Sequence, residues 1–147
     1  MSSRHVTHIV RYALGAGFLL FGLNGFLHFL PQPPAPPAAM QFAAALFATG
    51  YMFPLIKGTE IIAAALLLSN RWVPLALALL APVLVNILAF HAFLAPAGLA
   101  VPFVFVAAEL YLAWSYRDAF VPMLRARVEP SPTTDPRVAT RTAGAAA

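Results

Sequence analysis

The feature that most constrains this chain is a central stretch with almost no charge. Between Tyr12 and Tyr116 only two basic residues occur, Lys57 and Arg71, out of nine Lys and Arg in 147 residues. The whole chain is 61% hydrophobic and 10% charged, whereas a soluble domain carries about 25% charged residues. A water-soluble globule is therefore close to excluded. The composition predicts an integral membrane protein, because a bilayer core accepts apolar helices and few charges.

The apolar residues fall into four segments, each close to the roughly 20 residues that a membrane-spanning helix requires. All four favour helices, because a transmembrane barrel strand alternates apolar and polar residues over about 10 positions. The first segment also has features of a cleaved secretory signal, but its apolar run exceeds the roughly 7 to 15 residues of a signal core. We therefore expect an all-α fold, an integral membrane antiparallel four-helix bundle with four transmembrane helices. The predicted spans are about 12–30, 51–68, 72–94 and 99–116.

The segments outside the spans differ in composition. Five prolines between Pro31 and Pro37 prevent a helix there, and a short helix is predicted from about 38 to 48. The C-terminal residues are Pro, Thr and Ala with scattered Arg, a composition typical of disorder. The predicted organisation is an N-terminal cytoplasmic flank at 1–11, a membrane domain at 12–122 with a Pro-rich outer loop at 31–50, and a disordered cytoplasmic tail at 123–147.

The basic residues predict the orientation, because loops rich in Lys and Arg stay on the cytoplasmic side. They flank both ends of the apolar region and occur in the link between the second and third spans, whereas the other two loops have none. Both termini are therefore predicted to be cytoplasmic, in a multi-pass protein of the cytoplasmic (inner) membrane. The terminal charges are not interleaved with a stacking platform, so nucleic acid is not an expected partner. The orienting residues are Arg4, Arg11, Arg71, Arg117, Arg125 and Arg127.

Polar residues inside the predicted spans are the candidates for a binding site. A charge at the bilayer centre costs about 2.5 to 3.5 kcal/mol, so such residues are expected to face the interior of the bundle. Counted from the cytoplasmic side at about 1.5 Å per residue, they form three layers. Two carboxylates lie at about 10 to 14 Å, a Lys with two Asn at about 18 to 21 Å, and two His at about 24 to 28 Å. The predicted cofactor-binding cluster is Asn24, His28, Lys57, Glu60, Asn86, His91 and Glu109.

The charges within this cluster do not balance. Lys57 and Glu60 are three residues apart on one predicted helix and can pair directly. Glu109 is then a surplus carboxylate, and a second anion in an apolar interior either takes up a proton or finds another donor. The cluster is therefore predicted to include a proton-exchanging carboxyl, either Glu60 or Glu109.

Structural interpretations of the same residues stay open. Lys57 with Glu60 can simply hold helices together, and Asn24 and Asn86 can act as interhelical hydrogen-bonding groups worth under about 2 kcal/mol each. Two histidines alone make an incomplete metal site, so no metal is predicted. The chain has no Cys, no Gly-rich phosphate loop and no recognisable nucleophile and base pair. We therefore expect no catalysis by this chain alone.

Three runs of the sequence carry a family resemblance. They are LGAGFLLFGLNGFLHFLPQPP at 14–34, the segment from ATGYMFPLIKGTEII to NILAFHAFLAPAGL at 48–99, and ELYLAWSYRDAF at 109–120. These runs resemble the DoxX family of small four-helix membrane proteins, and the resemblance covers about residues 10–122. The TGYMFPLIKGTE run followed by VPLAL and NILAFH is its most specific part. One departure is Ala63 and Ala64, where many members of the family carry Gly after the Glu.

The resemblance implies a membrane partner in an oxidoreductase system, either a quinone-interacting subunit or a membrane anchor. In that function the polar cluster supplies hydrogen-bond donors and a proton source beside an apolar groove. Two alternatives stay open: a small-molecule or proton-coupled binding or transport protein, and a structural interaction scaffold without a ligand. Quinone is the one cofactor implied. The expected partners are the lipid bilayer, a soluble or membrane redox protein, and a second copy of the chain.

Overall fold

The computed structural model describes residues 3–31 and 34–129, and all regular secondary structure in them is helical, as the sequence predicts. From residue 130 onwards, the predicted disordered tail lies outside the described residues. The helices are α1 (Ser3–Leu27), α2 (Pro37–Ala48), α3 (Met52–Leu68), α4 (Val73–Phe93), α5 (Ala100–Ser115) and the short α6 (Arg117–Phe120), with 3₁₀ turns at Pro96–Gly98 and Val121–Leu124.

Two of these helices, α1 and α4, are long and apolar enough to cross a membrane. The pair α2 and α3 meets the same criterion when taken together, but it is bent by 92°. Helix α5 is apolar and only 16 residues long. Sixteen residues extend over about 24 Å, short of the hydrocarbon core of about 30 Å. The described residues therefore contain two to three candidate spans where the sequence predicts four.

Helix α1 begins earlier and ends earlier than the predicted span. It begins at Ser3, so most of the predicted flank is helical, because the segment up to Arg11 contains neither Gly nor Pro. It ends at Leu27 because His28 adopts a left-handed backbone conformation with φ of 50°. The Asn24 side-chain oxygen then accepts a hydrogen bond of 2.7 Å from the Leu30 backbone N–H.

The predicted short helix after the proline run is confirmed as α2. Its first residue is Pro37, a position where proline is favoured because the missing N–H has no helical acceptor. After α2, the Thr49 hydroxyl donates to the Leu46 carbonyl at 2.7 Å and accepts from the Met52 N–H at 3.0 Å. Gly50, with φ of 74°, makes the sharp change of direction into α3.

The four longer helices pack side by side: α1 and α4 each contact both α3 and α5. Glycines on α1 allow close approach to α3, since a Cβ added at Gly15 would lie 3.0 Å from Leu68 and one at Gly22 would lie 2.8 Å from Ile61. Gly25 faces Lys57 in the same way, so α1 and α3 run antiparallel. The buried apolar core is Leu14, Phe18, Ala63, Ala64, Leu67, Val73, Ala76, Leu77, Leu80, Leu84 and Leu112.

One end of this packing collects basic residues from distant parts of the chain. Because α1 and α3 are antiparallel, the α3–α4 link with Arg71 lies at the same end as the start of α1. The end of α5 lies there too, since the hydroxyls of Thr7 and Tyr111 are 3.2 Å apart. We call this the basic end, defined by Arg4, Arg71 and Arg117.

Candidate functional site

The predicted pairing of Lys57 with Glu60 is confirmed. The Lys57 ammonium donates to both carboxylate oxygens, at 2.8 Å and 3.0 Å. The Glu60 side chain is 1% exposed and that of Lys57 is 20% exposed. A separation of three residues on one helix turns both side chains toward the same face, so this contact is local.

Helix α1 covers the pair. A Cβ at Gly25 would lie 2.7 Å from Lys57 Cδ, and a Cβ at Gly22 would lie 3.4 Å from Glu60 Cβ. The aliphatic part of Lys57 therefore lies against bare backbone on α1, and Glu60 is enclosed where the two helices come closest. A residue with a side chain at either glycine would prevent this approach, because the packing has no spare volume.

Asn24 lies one residue before Gly25 and is 7% exposed. Its side-chain oxygen holds the Leu30 N–H, which is a local contact after the end of α1. The structure therefore buries Asn24 near the end of α1 and gives its amide oxygen a local structural partner rather than an interhelical one.

The remaining residues of the middle and outer layers make no hydrogen bond or ion pair with Lys57 or Glu60 among the described residues. Asn86 is exposed on α4, contrary to the expectation that it faces the interior. His28 is exposed beyond the end of α1. His91 is partly buried, its Nδ1 donates to the Ile87 carbonyl at 2.8 Å, and its ring lies against Gly98. Depth along a helix determined the predicted layers, whereas rotation about the helix axis determines which residues meet, and counting from one end does not supply that rotation.

Glu109 is the second buried carboxyl. It is 7% exposed on α5, and its Oε2 has no hydrogen-bond partner among the described residues. It lies on the same face of α5 as Phe105 and Leu112, which pack into the apolar core. The surplus carboxylate predicted from the sequence therefore has no donor for this oxygen within the part of the chain that the structure describes.

Arg11 is the last residue of the predicted N-terminal flank at 1–11, and the structure buries it. Its side chain is 1% exposed, its Nη1 donates to the Leu67 carbonyl, and its guanidinium lies 4.2 Å from the centre of the Tyr12 ring. Its Nε is buried without a partner among the described residues. The sequence contains no helix breaker between Arg11 and the apolar run, so one helix continues through Arg11. The spacing of Arg11, Leu14 and Phe18 then puts all three on the same, inward face of that helix.

No group of three or more His, Asp or Glu side chains in residues 3–31 and 34–129 could hold a metal ion. No family model matches this chain, and neither a curated protein nor a solved structure matches it.

Proposed function

We propose that this chain is a DoxX-like integral membrane protein with four spans and both termini cytoplasmic, and that it serves as a quinone-interacting membrane subunit of an oxidoreductase complex. In this proposal the Lys57–Glu60 pair is the polar contact for the quinone head. The chain itself performs no catalysis and provides binding, orientation and a proton donor.

One observation carries the proposal: the Lys57 ammonium has a hydrogen to spare. An ammonium group has three N–H donors, and two of them go to the Glu60 oxygens. The third is available to a carbonyl acceptor, and the Lys57 side chain is 20% exposed, so an acceptor can reach it. Because Glu60 neutralises Lys57, the donor is presented at low electrostatic cost in an apolar setting.

A quinone fits this donor by its chemistry. It is a planar apolar ring with carbonyl oxygens that accept hydrogen bonds, and when bound it would supply two-electron, two-proton redox chemistry. Lys57 would donate to one carbonyl oxygen, and Glu60 would hold Lys57 in place. A Cβ at Gly58, next in the chain to Lys57, would meet nothing within 4 Å, so there is open space on that side of α3.

The orientation is supported by the basic end. Arg4, Arg71 and Arg117 belong to three separate parts of the chain, and cytoplasmic loops are enriched in such residues. Reporter fusions after residue 129 and within the α2 segment test this part of the proposal. We expect a cytoplasmic signal from the first fusion and an external signal from the second, and the reverse pattern would contradict the proposed topology.

The quinone assignment is tested by native mass spectrometry of the gently solubilised full chain, with ubiquinone and menaquinone added in turn. Wild type is compared with Lys57→Met and with the double variant Lys57→Met/Glu60→Gln. The double variant removes the donor without leaving a buried charge unpaired, so its folding is protected. We expect wild type to retain one quinone and both variants to lose it.

A matched control is Thr59→Val on the same helix, because the Thr59 hydroxyl donates only to its own helix, to the Leu55 carbonyl at 2.8 Å. This variant should retain quinone as wild type does. Retention of quinone by a folded double variant would exclude the Lys57–Glu60 pair as the site.

A second candidate function is a structural scaffold that carries no ligand. It is favoured by the observation that several polar groups have local partners: Asn24 with Leu30, Lys57 with Glu60, and His91 with Ile87. If wild type itself retains no quinone, while Lys57→Met disrupts a complex isolated from membranes, the scaffold is the better assignment.

A further inference from the structure

The basic end contains a pocket that the proposed quinone site does not use. Its volume is about 460 Å³, and it lies where the first turns of α1 meet the last turn of α5. Arg4 and His8 line it from α1, and Tyr111 and Trp114 line it from α5, with Arg117 just beyond. Residues about 100 positions apart in the chain therefore form one cavity.

The pocket carries positive charge without an ion pair in the part of the chain that the structure describes. Lys57 and Glu60 make the one ion pair there, so no carboxylate of residues 3–31 or 34–129 lies within ion-pair distance of Arg4 or Arg117. No Asp or Glu lines the pocket, and Asp118, although next in the chain to Arg117, is not part of it. Two guanidinium groups that face one cavity without an acid are typical of an anion site.

The arginines also retain most of their hydrogen-bonding capacity. A guanidinium has five N–H donors, and Arg117 uses one of them on the Trp114 carbonyl at 3.1 Å. Its guanidinium lies 5.4 Å from the Trp114 ring, which holds it at the rim of the pocket. The remaining donors have the planar geometry that matches two oxygens of a phosphate group.

The surroundings of the pocket indicate which phosphate compound meets it. At the same end, Tyr12, Trp72 and Trp114 are 51%, 64% and 70% exposed, and exposed Trp and Tyr side chains settle at the level of lipid headgroups. Basic pockets between helices at this level bind phosphate headgroups of anionic lipids. A volume of about 460 Å³ is larger than a single phosphate requires and leaves room for a headgroup.

We propose that this pocket binds the phosphate group of an anionic phospholipid, held by Arg4 and Arg117 with Trp114 at the level of the headgroup. The proposal requires that the chain is embedded in a membrane, and it is independent of the quinone assignment. The same phosphate chemistry in a soluble phosphate compound is the alternative source, which the experiment distinguishes.

The test uses the purified full chain in nanodiscs of phosphatidylcholine with a small fraction of phosphatidylglycerol, at about 0.15 M salt, where distant charges are screened. Native mass spectrometry counts the phosphatidylglycerol retained, and titration of the lipid into detergent-solubilised protein measures affinity. We expect wild type to retain one phosphatidylglycerol. Arg4→Gln and Arg117→Gln should each weaken binding about ten-fold or more, because each removes a charge-assisted hydrogen bond.

Arg71→Gln is the matched control. Arg71 lies at the same end and its guanidinium is 5.3 Å from the Trp72 ring, much as Arg117 is placed on Trp114, but it does not line the pocket. It contributes only general surface attraction, so its loss should weaken binding no more than about five-fold. Equal losses in Arg71→Gln and Arg117→Gln would overturn the pocket in favour of a diffuse basic surface.

A second variant tests the cavity without changing its charge. Ser115 lines the pocket, so Ser115→Trp would fill it while both arginines remain. We expect this variant to release the lipid, and unchanged retention would overturn the proposal.

In the last arm, inorganic phosphate is added at millimolar concentration. If inorganic phosphate displaces the lipid only at concentrations far above that of phosphatidylglycerol, the site is a lipid site. If inorganic phosphate binds as tightly as the lipid, the proposal is overturned.

Discussion

Among the described residues two carboxyls are buried, Glu60 on α3 and Glu109 on α5, and they differ in how their charge is met. Glu60 is 1% exposed and receives two hydrogen bonds from Lys57, one turn away on its own helix. Glu109 is 7% exposed and has an oxygen with no partner among the described residues. Both lie against the same apolar core, so burial alone does not distinguish them.

The difference shows two ways in which a buried charge is accommodated. At Glu60 the compensating charge is part of the same helix, so it is present as soon as the helix forms. At Glu109 no ion pair or hydrogen bond to Oε2 comes from the part of the chain that the structure describes. Substitutions therefore have different consequences at the two sites. Removal of Lys57 leaves the Glu60 carboxylate buried without its cation, whereas a neutral residue in place of Glu109 leaves no charge behind.

The largest effect is expected from Lys57→Met, which leaves the Glu60 carboxylate buried without its cation. Removing one partner of a buried pair costs about 3 to 5 kcal/mol. Reversible unfolding in mixed micelles, with increasing dodecyl sulfate, measures this loss. Lys57→Met/Glu60→Gln should recover most of it, and equal stability of the single and double variants would show that the pair is not energetically coupled.

A smaller effect is expected from Gly22→Ala, which tests whether Glu60 owes its enclosure to the close approach of α1. The added Cβ would lie 2.8 Å from Ile61 Cγ1 and 3.5 Å from the Ile61 backbone nitrogen. Overpacking of this kind costs about 1 to 3 kcal/mol. The same unfolding assay measures the cost, and Gly58→Ala serves as control because its Cβ would meet nothing within 4 Å. An equal loss in both variants would mean that helix contact is not the cause.

Asn24→Leu should cost about 1 kcal/mol, because it leaves the Leu30 N–H without its acceptor. Asn86→Leu is the matched control, since Asn86 is an exposed amide with no hydrogen bond among the described residues. Hydrogen exchange at the end of α1 should accelerate in the first variant only. Unchanged exchange in Asn24→Leu would show that the Leu30 contact does not hold this segment.

The smallest effect is expected from Glu109→Gln, which should change the free energy of unfolding by less than about 1 kcal/mol. No hydrogen bond to Oε2 is lost, and an amide of the same shape fills the space. A loss comparable to that of Lys57→Met would mean that Glu109 has a strong partner after all, and would remove the contrast between the two carboxyls.

Much of the local structure could be predicted from the sequence. The apolar runs predict α3 and α4 closely, the prolines predict where α2 begins, and the spacing of Lys57 and Glu60 predicts their ion pair. All of these are determined by residues within one or two turns of one another. The lengths of the spans were predicted less well. Helices α3 and α5 are 17 and 16 residues long, shorter than a typical span, and the chain changes direction at Gly50 between α2 and α3.

The rest was decided by the tertiary structure. Rotation of each helix about its axis exposes Asn86, buries Arg11 and leaves one oxygen of Glu109 without a partner among the described residues. Position along the chain does not supply that rotation. Packing of α1 against α5 brings Arg4 and Arg117, more than 100 residues apart, to one pocket. Hydrophobic patterning determines which segments become helices, because burial of apolar area depends on composition and period. Which polar side chains meet depends on how the helices pack against one another, and no short-range pattern encodes that.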